Sequence, residues 1–137
     1  MFWDSSALVP CLVPERRSAD MTALIAADAA VTIWWGTPLE CLSALEAKRR
    51  EVAAPLGAPL YTNALARLAA IVASASKVTP ADPLRTRAEQ CLKRYPLRAA
   101  DALQLAAALL SGQRELVTLD VRLAEAARAE ALIVLPS

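Results

Sequence analysis

The sequence predicts an α/β domain in which helices cover both faces of a mostly parallel, roughly five-stranded central sheet. Short segments rich in β-branched and aromatic residues alternate with longer amphipathic segments along the whole chain. The short segments are apolar throughout, which is typical of parallel strands that are buried on both faces. The length of 137 residues, without a linker or a low-complexity segment, corresponds to a single domain over residues 1–137.

The N-terminal half is predicted to contain two strands and four helices. The first strand is "MFWD", and the second is "AVTIWWG", which ends at Gly36. Two helices, "SSALVPCLV" and "ERRSADMTALIAAD", lie between them and are separated near Pro14, because proline interrupts a helix. The helix "TPLECLSALEAKRREV" follows, and a break marked by Pro55, Gly57 and Pro59 separates it from the helix "LYTNALARLAAIVASAS".

The C-terminal half is predicted to begin with a very short strand at "KVTP". The amphipathic helix "PLRTRAEQCLKRY" comes next and stops at Pro96, because the residue before a proline disfavours helical geometry. The apolar helix "LRAADALQLAAALL" is expected to end near Gly112. The strand "ELVTLD", the helix "VRLAEAARAE" and a last strand, "ALIVLP", complete the alternation.

Composition excludes several classes of function. The chain has no histidine, which removes Ser-His-Asp and Cys-His catalysis and most catalytic zinc sites. Its 3 glycines are isolated, so no phosphate-binding P-loop can form. The 3 cysteines are far apart and no apolar run could span a bilayer, so we expect a cytoplasmic protein with no membrane association. With a formal charge of +1, any nucleic acid must be held by local basic patches.

Three carboxylates occupy places from which they can converge. Asp4 and Asp120 each end a predicted strand, and Glu40 lies in the first turn of the helix after the second strand. In a parallel sheet these positions share one edge. Each residue also has a purely structural interpretation. Asp4 and Asp120 could be helix N-caps, and Glu40 could form a capping box with Thr37.

Asp101 is harder to explain by local structure alone. It lies on the same helical face as Leu105 and Ala108, which should be packed against the rest of the domain. A buried carboxylate is costly unless it is paired, protonated or bound to a metal. The structural alternative is an ion pair with Arg98, three residues earlier.

Taken together, the four acids predict a divalent cation. Carboxylates brought to one edge repel one another and raise one another's pKa, and a cation relieves this repulsion. Oxygen ligands without His or Cys suit Mg²⁺ or Mn²⁺, which assist phosphoryl chemistry. Two hydroxyls, those of Ser6 and Thr118, could hydrogen-bond a ligating carboxylate, or could simply bond their own backbone.

Basic residues occur in short runs that could line an RNA groove, although each run is also typical of a solvated helix face. The runs are Arg16-Arg17, Lys48-Arg49-Arg50, Arg85 with Arg87, and Lys93-Arg94 with Arg98. Trp34 and Trp35 close a strand that is predicted to be buried, so we expect both rings in the core.

Four motifs occur in an order that resembles PIN domains, and more narrowly the VapC-type ribonuclease toxins of prokaryotic toxin–antitoxin modules. The motifs are "MFWDSSALV", "PLECLSAL", "LRAADALQLAAAL" and "LVTLDVRLAEAA", and the resemblance spans nearly the whole chain. It departs from the family at the poorly marked third strand and is only generally helical between Glu51 and Pro83. The RNA target is therefore not predicted.

The resemblance implies a three-layer α/β/α sandwich and an endoribonuclease that cleaves single-stranded regions of RNA with Mg²⁺ or Mn²⁺. Matched motif to motif, the metal-binding acidic quartet of the family falls on Asp4, Glu40, Asp101 and Asp120. We expect Asp4, Asp101 and Asp120 to hold one or two metal ions directly, and Glu40 to bind the metal through water or to orient the attacking water. The resemblance also implies a homodimer and a cognate antitoxin that places a basic side chain in or near the acidic pocket.

Two alternatives accompany this prediction. A haloacid-dehalogenase-like phosphatase also places acids at strand ends, but it normally requires Asp-x-Asp after the first strand, and this chain has Asp4-Ser5-Ser6. A non-catalytic scaffold would use the four acids as helix caps and as a docking pocket for a basic peptide.

Overall fold

Five short strands form the centre of the computed structural model, which describes residues 1–137. The strands are β1 (Phe2–Trp3), β2 (Thr32–Trp34), β3 (Ser76–Val78), β4 (Glu115–Val117) and β5 (Ile133–Leu135). The helices are α1 (Ser5–Leu12), α2 (Ser18–Ala27), α3 (Thr37–Arg49), α4 (Ala58–Ser74), α5 (Asp82–Arg94), α6 (Ala99–Leu110) and α7 (Val121–Ala129). Every strand and helix predicted from the sequence is present, with ends shifted by a few residues at most.

All neighbouring strands are parallel, and their order across the sheet is β3-β2-β1-β4-β5. The chain therefore adds strands on one side of β1 and then on the other, so the boundary between β1 and β4 is a topological switch point. Ligands of open α/β sheets bind at such a point, beyond the carboxyl ends of the strands. Asp4 lies there, and its backbone N–H donates to the carbonyl oxygen of Val117 at 3.0 Å.

Side chains from the two faces of the sheet enter two separate hydrophobic clusters. Phe2 and Leu116 pack on one face with buried residues of α5, α6 and α7. Trp3 and Val117, the next residues along β1 and β4, pack on the other face with buried residues of α1 to α4. This arrangement confirms the three-layer α/β/α sandwich, because successive residues of a strand point to opposite faces.

The weak sequence signal of the third strand reflects its position at the edge of the sheet. Ser76 and Lys77 of β3 are exposed, so this strand needs no continuous apolar run. The prediction that both tryptophans belong to the core is correct for Trp34 and wrong for Trp35. Trp34 is 8% exposed within β2, whereas Trp35 follows the end of that strand and is 59% exposed.

Glycines occupy two of the turns, one between β2 and α3 and the other after α6. A Cβ atom at Gly36 would lie 2.5 Å from Nε1 of Trp34, so only glycine allows the immediate passage from β2 into α3 without moving that ring. Gly112 has a φ of +77° and follows α6, which confirms the predicted end of that helix. None of the seven helices combines the length and the apolar character that crossing a bilayer requires.

Candidate active site

Asp4 is the most buried of the four predicted acids and is held by two hydroxyls. It is 3% exposed and caps α1 by accepting from the backbone N–H of Ser6 at 3.2 Å. Its Oδ2 also accepts from Oγ of Ser6, and from Oγ1 of Thr118 at 2.9 Å. The two hydroxyls of Ser6 and Thr118 are themselves 3.2 Å apart. Both hydroxyls therefore fix the orientation of the Asp4 carboxylate. Of the two interpretations that the sequence offered for Ser6 and Thr118, this is the hydrogen bond to a carboxylate.

Asp120 caps helix α7 beside this group. Its Oδ1 accepts from the backbone N–H of Leu123 at 2.8 Å, and its own N–H donates to Oγ1 of Thr118 at 3.1 Å. Thr118 thus bridges Asp4 and the loop that carries Asp120. The N-cap interpretation of Asp4 and Asp120 is correct, and the same capping bonds hold both carboxylates at the carboxyl edge of the sheet.

Glu40 is anchored by a residue of another helix and not by a capping box. Helix α3 has Gly36 as its N-cap without a side-chain cap, so the Thr37–Glu40 capping box suggested by the sequence is wrong. Instead Nε2 of Gln104 on α6 donates to Oε2 of Glu40 at 2.7 Å and to Oγ1 of Thr37 at 3.0 Å. The three side chains join α3 to α6 and leave Glu40 near the start of its helix.

Asp101 lies in the first turn of α6, partly buried, whereas Leu105 and Ala108 further along that helix are fully buried. The buried face of α6 therefore opens at its N-terminal end, where Asp101 is located. None of the ion pairs of the structure includes Asp101, so the predicted pair with Arg98 is not formed.

The charges of neighbouring acids raise the pKa of two of the four, Glu40 and Asp101. Burial and the charge of Asp4 raise the pKa of Glu40 to about 7, and Asp101 adds to the rise while the hydrogen bond from Gln104 opposes it. Burial, followed by the charge of Asp120, raises the pKa of Asp101. Burial also raises the pKa of Asp4, against its hydrogen bonds to Ser6 and Thr118. Each acid is thus electrostatically coupled to at least one other.

The protein holds one oxygen of three of the carboxylates and leaves the other available. Asp4 has its protein bonds on Oδ2, and its Oδ1 has only a 3.5 Å contact from Oγ of Ser5. Glu40 is held through Oε2 and Asp120 through Oδ1. No buried side-chain oxygen lacks a partner, so the remaining oxygens of Glu40 and Asp120 face solvent. No three His, Cys, Asp or Glu side chains are arranged so that they could already hold a metal ion.

A cavity of about 510 Å³ lies beside the acids, between the first turns of α6 and α7. Its lining combines acidic and basic side chains: Arg98, Ala100, Asp101, Asp120, Val121 and Arg122. Sequence reasoning missed Arg122, because a single arginine in the first turn of a helix forms no run. It also missed Gln104, whose only sequence signal is a lone amide in an otherwise apolar helix.

The family model of the PIN domain matches residues 1–129 of the sequence. The chain belongs to the PIN domain family. This membership was expected from the four motifs and their order, and it gives no support to the alternative of a haloacid-dehalogenase-like phosphatase. No curated protein matches the sequence.

Solved structures share the fold of this PIN domain at low sequence identity. VapC20 of Mycobacterium tuberculosis, described as a sarcin-ricin loop cleaving toxin, is 19% identical, with a TM-score of 0.72 over 91% of this chain and 93% of its own. FitAcB of Neisseria gonorrhoeae is 15% identical, with a TM-score of 0.71 over 97% of this chain and 94% of its own. A toxin–antitoxin complex from Klebsiella pneumoniae is 21% identical, with a TM-score of 0.63 over 88% of this chain and 87% of that chain.

Proposed function

We propose that this PIN domain is a metal-dependent endoribonuclease that cleaves single-stranded regions of RNA and acts as the toxin of a toxin–antitoxin pair. The observation that supports the proposal is that acids from four separate segments act on one another electrostatically: the charges of Asp4 and Asp101 act on Glu40, and the charge of Asp120 acts on Asp101. The nature of the structural neighbours, which include an RNA-cleaving toxin and a toxin–antitoxin complex, favours RNA as the substrate.

The donor set suits a hard divalent cation. The acids offer carboxylate oxygens and no His or Cys ligand. Beside the larger effect of burial, the charges of Asp4 and Asp101 raise the pKa of Glu40 and the charge of Asp120 raises the pKa of Asp101, and a cation would relieve this repulsion. Asp4, Asp101 and Asp120 would hold Mg²⁺ or Mn²⁺ directly, and Glu40 would hold it through water. Such an ion, when bound, polarises a phosphodiester and lowers the pKa of water.

The residues of the chain divide the remaining work. Ser6 and Thr118 hold Oδ2 of Asp4 and leave its Oδ1 with only the 3.5 Å contact from Oγ of Ser5. Gln104 holds Oε2 of Glu40 and leaves Oε1 free to accept a hydrogen bond from the attacking water. A carboxylate held in this way could serve as the general base that takes a proton from that water.

An antitoxin partner fits an apolar groove formed by the start of α3 and by α4. The groove has a volume of about 500 Å³ and lies between α3 and α4, where Trp35, Leu39, Leu65 and Val72 contribute to its lining. Trp35 is 59% exposed and Leu39 is 72% exposed, which is unusual for residues of their size. An antitoxin segment with an apolar face would cover this groove and could place a basic side chain against the acids.

The chemistry of the RNA ends tests the proposed reaction. If water attacks phosphorus and the 3′-oxygen leaves, the products carry a 5′-phosphate and a 3′-hydroxyl. Purified protein is incubated with single-stranded RNA and Mn²⁺, and the fragments are analysed by mass spectrometry. A 2′,3′-cyclic phosphate would exclude the mechanism, because that product requires attack by the 2′-hydroxyl of the RNA itself.

A further inference from the structure

Two arginines flank the acidic group on the wall of the 510 Å³ cavity. Arg98 is the N-cap residue of α6, and Arg122 lies in the first turn of α7. The cavity therefore lies against the N-terminal ends of two helices as well as two guanidinium groups. Helix N-termini carry partial positive charge, so both kinds of group favour an anion.

Neither guanidinium has a protein partner. Arg98 and Arg122 take part in no ion pair and in no side-chain hydrogen bond, although Asp101 and Asp120 line the same cavity. Their charges act on Asp101 only at a distance, where they lower its pKa against the dominant effect of burial. Most other basic side chains of the predicted runs form ion pairs with acids: Arg17, Lys48, Arg49, Arg50, Arg85, Arg87 and Arg94.

We propose that Arg98 and Arg122 bind a phosphate of the RNA strand next to the one that is cleaved. This inference rests on the proposed function. A guanidinium binds phosphate through two parallel hydrogen bonds, and two exposed arginines across one cavity can hold a single phosphate group from both sides. The scissile phosphate belongs with the four acids and their cation, so the adjacent phosphate needs separate positive charge, which this pair supplies. The pair thus positions the strand over the acids.

The test compares Arg98→Gln, Arg122→Gln and the control Arg114→Gln. Arg114 is also exposed and without an ion pair. It directly precedes β4, whereas Asp120 follows β4, so the two residues lie at opposite ends of that strand. Binding of a short fluorescent single-stranded RNA of mixed sequence is measured by anisotropy in EDTA over a range of salt concentrations. Cleavage of the same RNA is measured with Mn²⁺, and melting temperatures confirm that each variant is folded.

We expect Arg98→Gln and Arg122→Gln each to weaken RNA binding about 5- to 20-fold, as the loss of one charge-assisted contact would. Each should also reduce the slope of log affinity against log salt by about 0.7, the value for one phosphate contact on a single strand. In cleavage, the loss should be in KM with little change in kcat. Arg114→Gln should bind within about 2-fold of the wild type, because it removes only distant charge.

The outcomes separate this inference from the proposed function. If the wild type cleaves RNA and both variants bind it as tightly as the wild type, the phosphate-binding pair is wrong and the nuclease stands. An equal loss of RNA affinity in Arg114→Gln would also overturn the phosphate-binding pair, because it would mean that any single positive charge on the protein contributes as much as Arg98 or Arg122. If the wild type neither binds nor cleaves RNA, the proposed function fails and the inference fails with it.

Discussion

Gln104, which is completely buried in α6, donates a hydrogen bond of 2.7 Å from Nε2 to Oε2 of Glu40 on α3. The same amide nitrogen donates to Thr37 at the start of α3. This buried amide favours one rotamer of the Glu40 carboxylate, because another rotamer would leave one of the two N–H groups of Nε2 without its acceptor. The position of Glu40 relative to the other acids therefore depends on Gln104.

Replacing Gln104 with leucine should lower the rate of RNA cleavage about 10- to 100-fold, the usual effect of removing a residue that orients a metal-site ligand. The measurement is kcat with saturating Mn²⁺. The matched control is Gln113→Leu, because Gln113 likewise donates to a threonine, Thr32, at 3.1 Å. That pair lies near the amino end of β2, away from the acids. Equal rates for Gln104→Leu and the wild type would show that Glu40 needs no such support.

Removing one charge from the acidic group should stabilise the metal-free protein. At pH 8 in EDTA, Asp101→Asn should raise the melting temperature by about 1–3 °C, because position 101 no longer repels Glu40. The effect should be this small because the site is partly exposed to solvent.

Mn²⁺ at about 100 times its dissociation constant should stabilise the wild type by about 2.7 kcal/mol. The variant should respond far less, and an equal response from both would place the ion elsewhere.

The stability of the fold should depend on pH through Glu130. Burial alone would raise the pKa of Glu130, but the hydrogen bond from Tyr95 and the charges of Arg94 and Arg87 outweigh it and lower that pKa. A lowered pKa means that the carboxylate stabilises the fold above the unfolded value, near 4.3, and loses this effect as the pH falls through the folded value.

The variant Glu130→Gln measures that contribution. At pH 7 the free energy of unfolding of the variant in urea should be about 1–2 kcal/mol lower than that of the wild type. The loss should be no larger because solvent screens the ion pairs with the partly exposed Arg87 and Arg94. The difference should shrink as the pH is lowered below about 4. A difference that stays constant down to pH 3 would mean that the charge of Glu130 contributes nothing.

The sequence predicted the strands and the helices, and hence the element on which each of the four acids lies, because these depend on local patterns. Asp4 and Asp120 follow apolar strands directly, and a parallel sheet brings such positions to one edge. Asp101 was expected on a buried face, but it lies partly exposed in the first turn of α6, where a hydrogen bond from the backbone N–H of Arg98 is a local explanation of its place. The metal-binding roles of the four acids, and the homodimer, remain predictions.

The contacts that orient the acids could not be predicted because they join distant parts of the chain. Gln104 and Glu40 are separated by 64 residues, and Thr118 and Asp4 by 114. The Thr37 hydroxyl fitted a local capping box equally well, but the amide of Gln104 binds it instead. Trp35 is expected in the core because it closes a strand that is predicted to be buried, but β2 ends at Trp34 and Trp35 lies beyond it.

The most direct test of the central claim is RNA cleavage by Asp101→Asn with Mn²⁺ and with EDTA. The control is Asp82→Asn, since Asp82 also lies in the first turn of a helix but has a side chain that is 88% exposed. We predict that the wild type and Asp82→Asn cleave single-stranded RNA with Mn²⁺ and not with EDTA. Asp101→Asn should remain folded and lose cleavage by about 100-fold or more. Cleavage at the wild-type rate by Asp101→Asn, or by the wild type in EDTA, would contradict a metal-dependent nuclease site at these four acids.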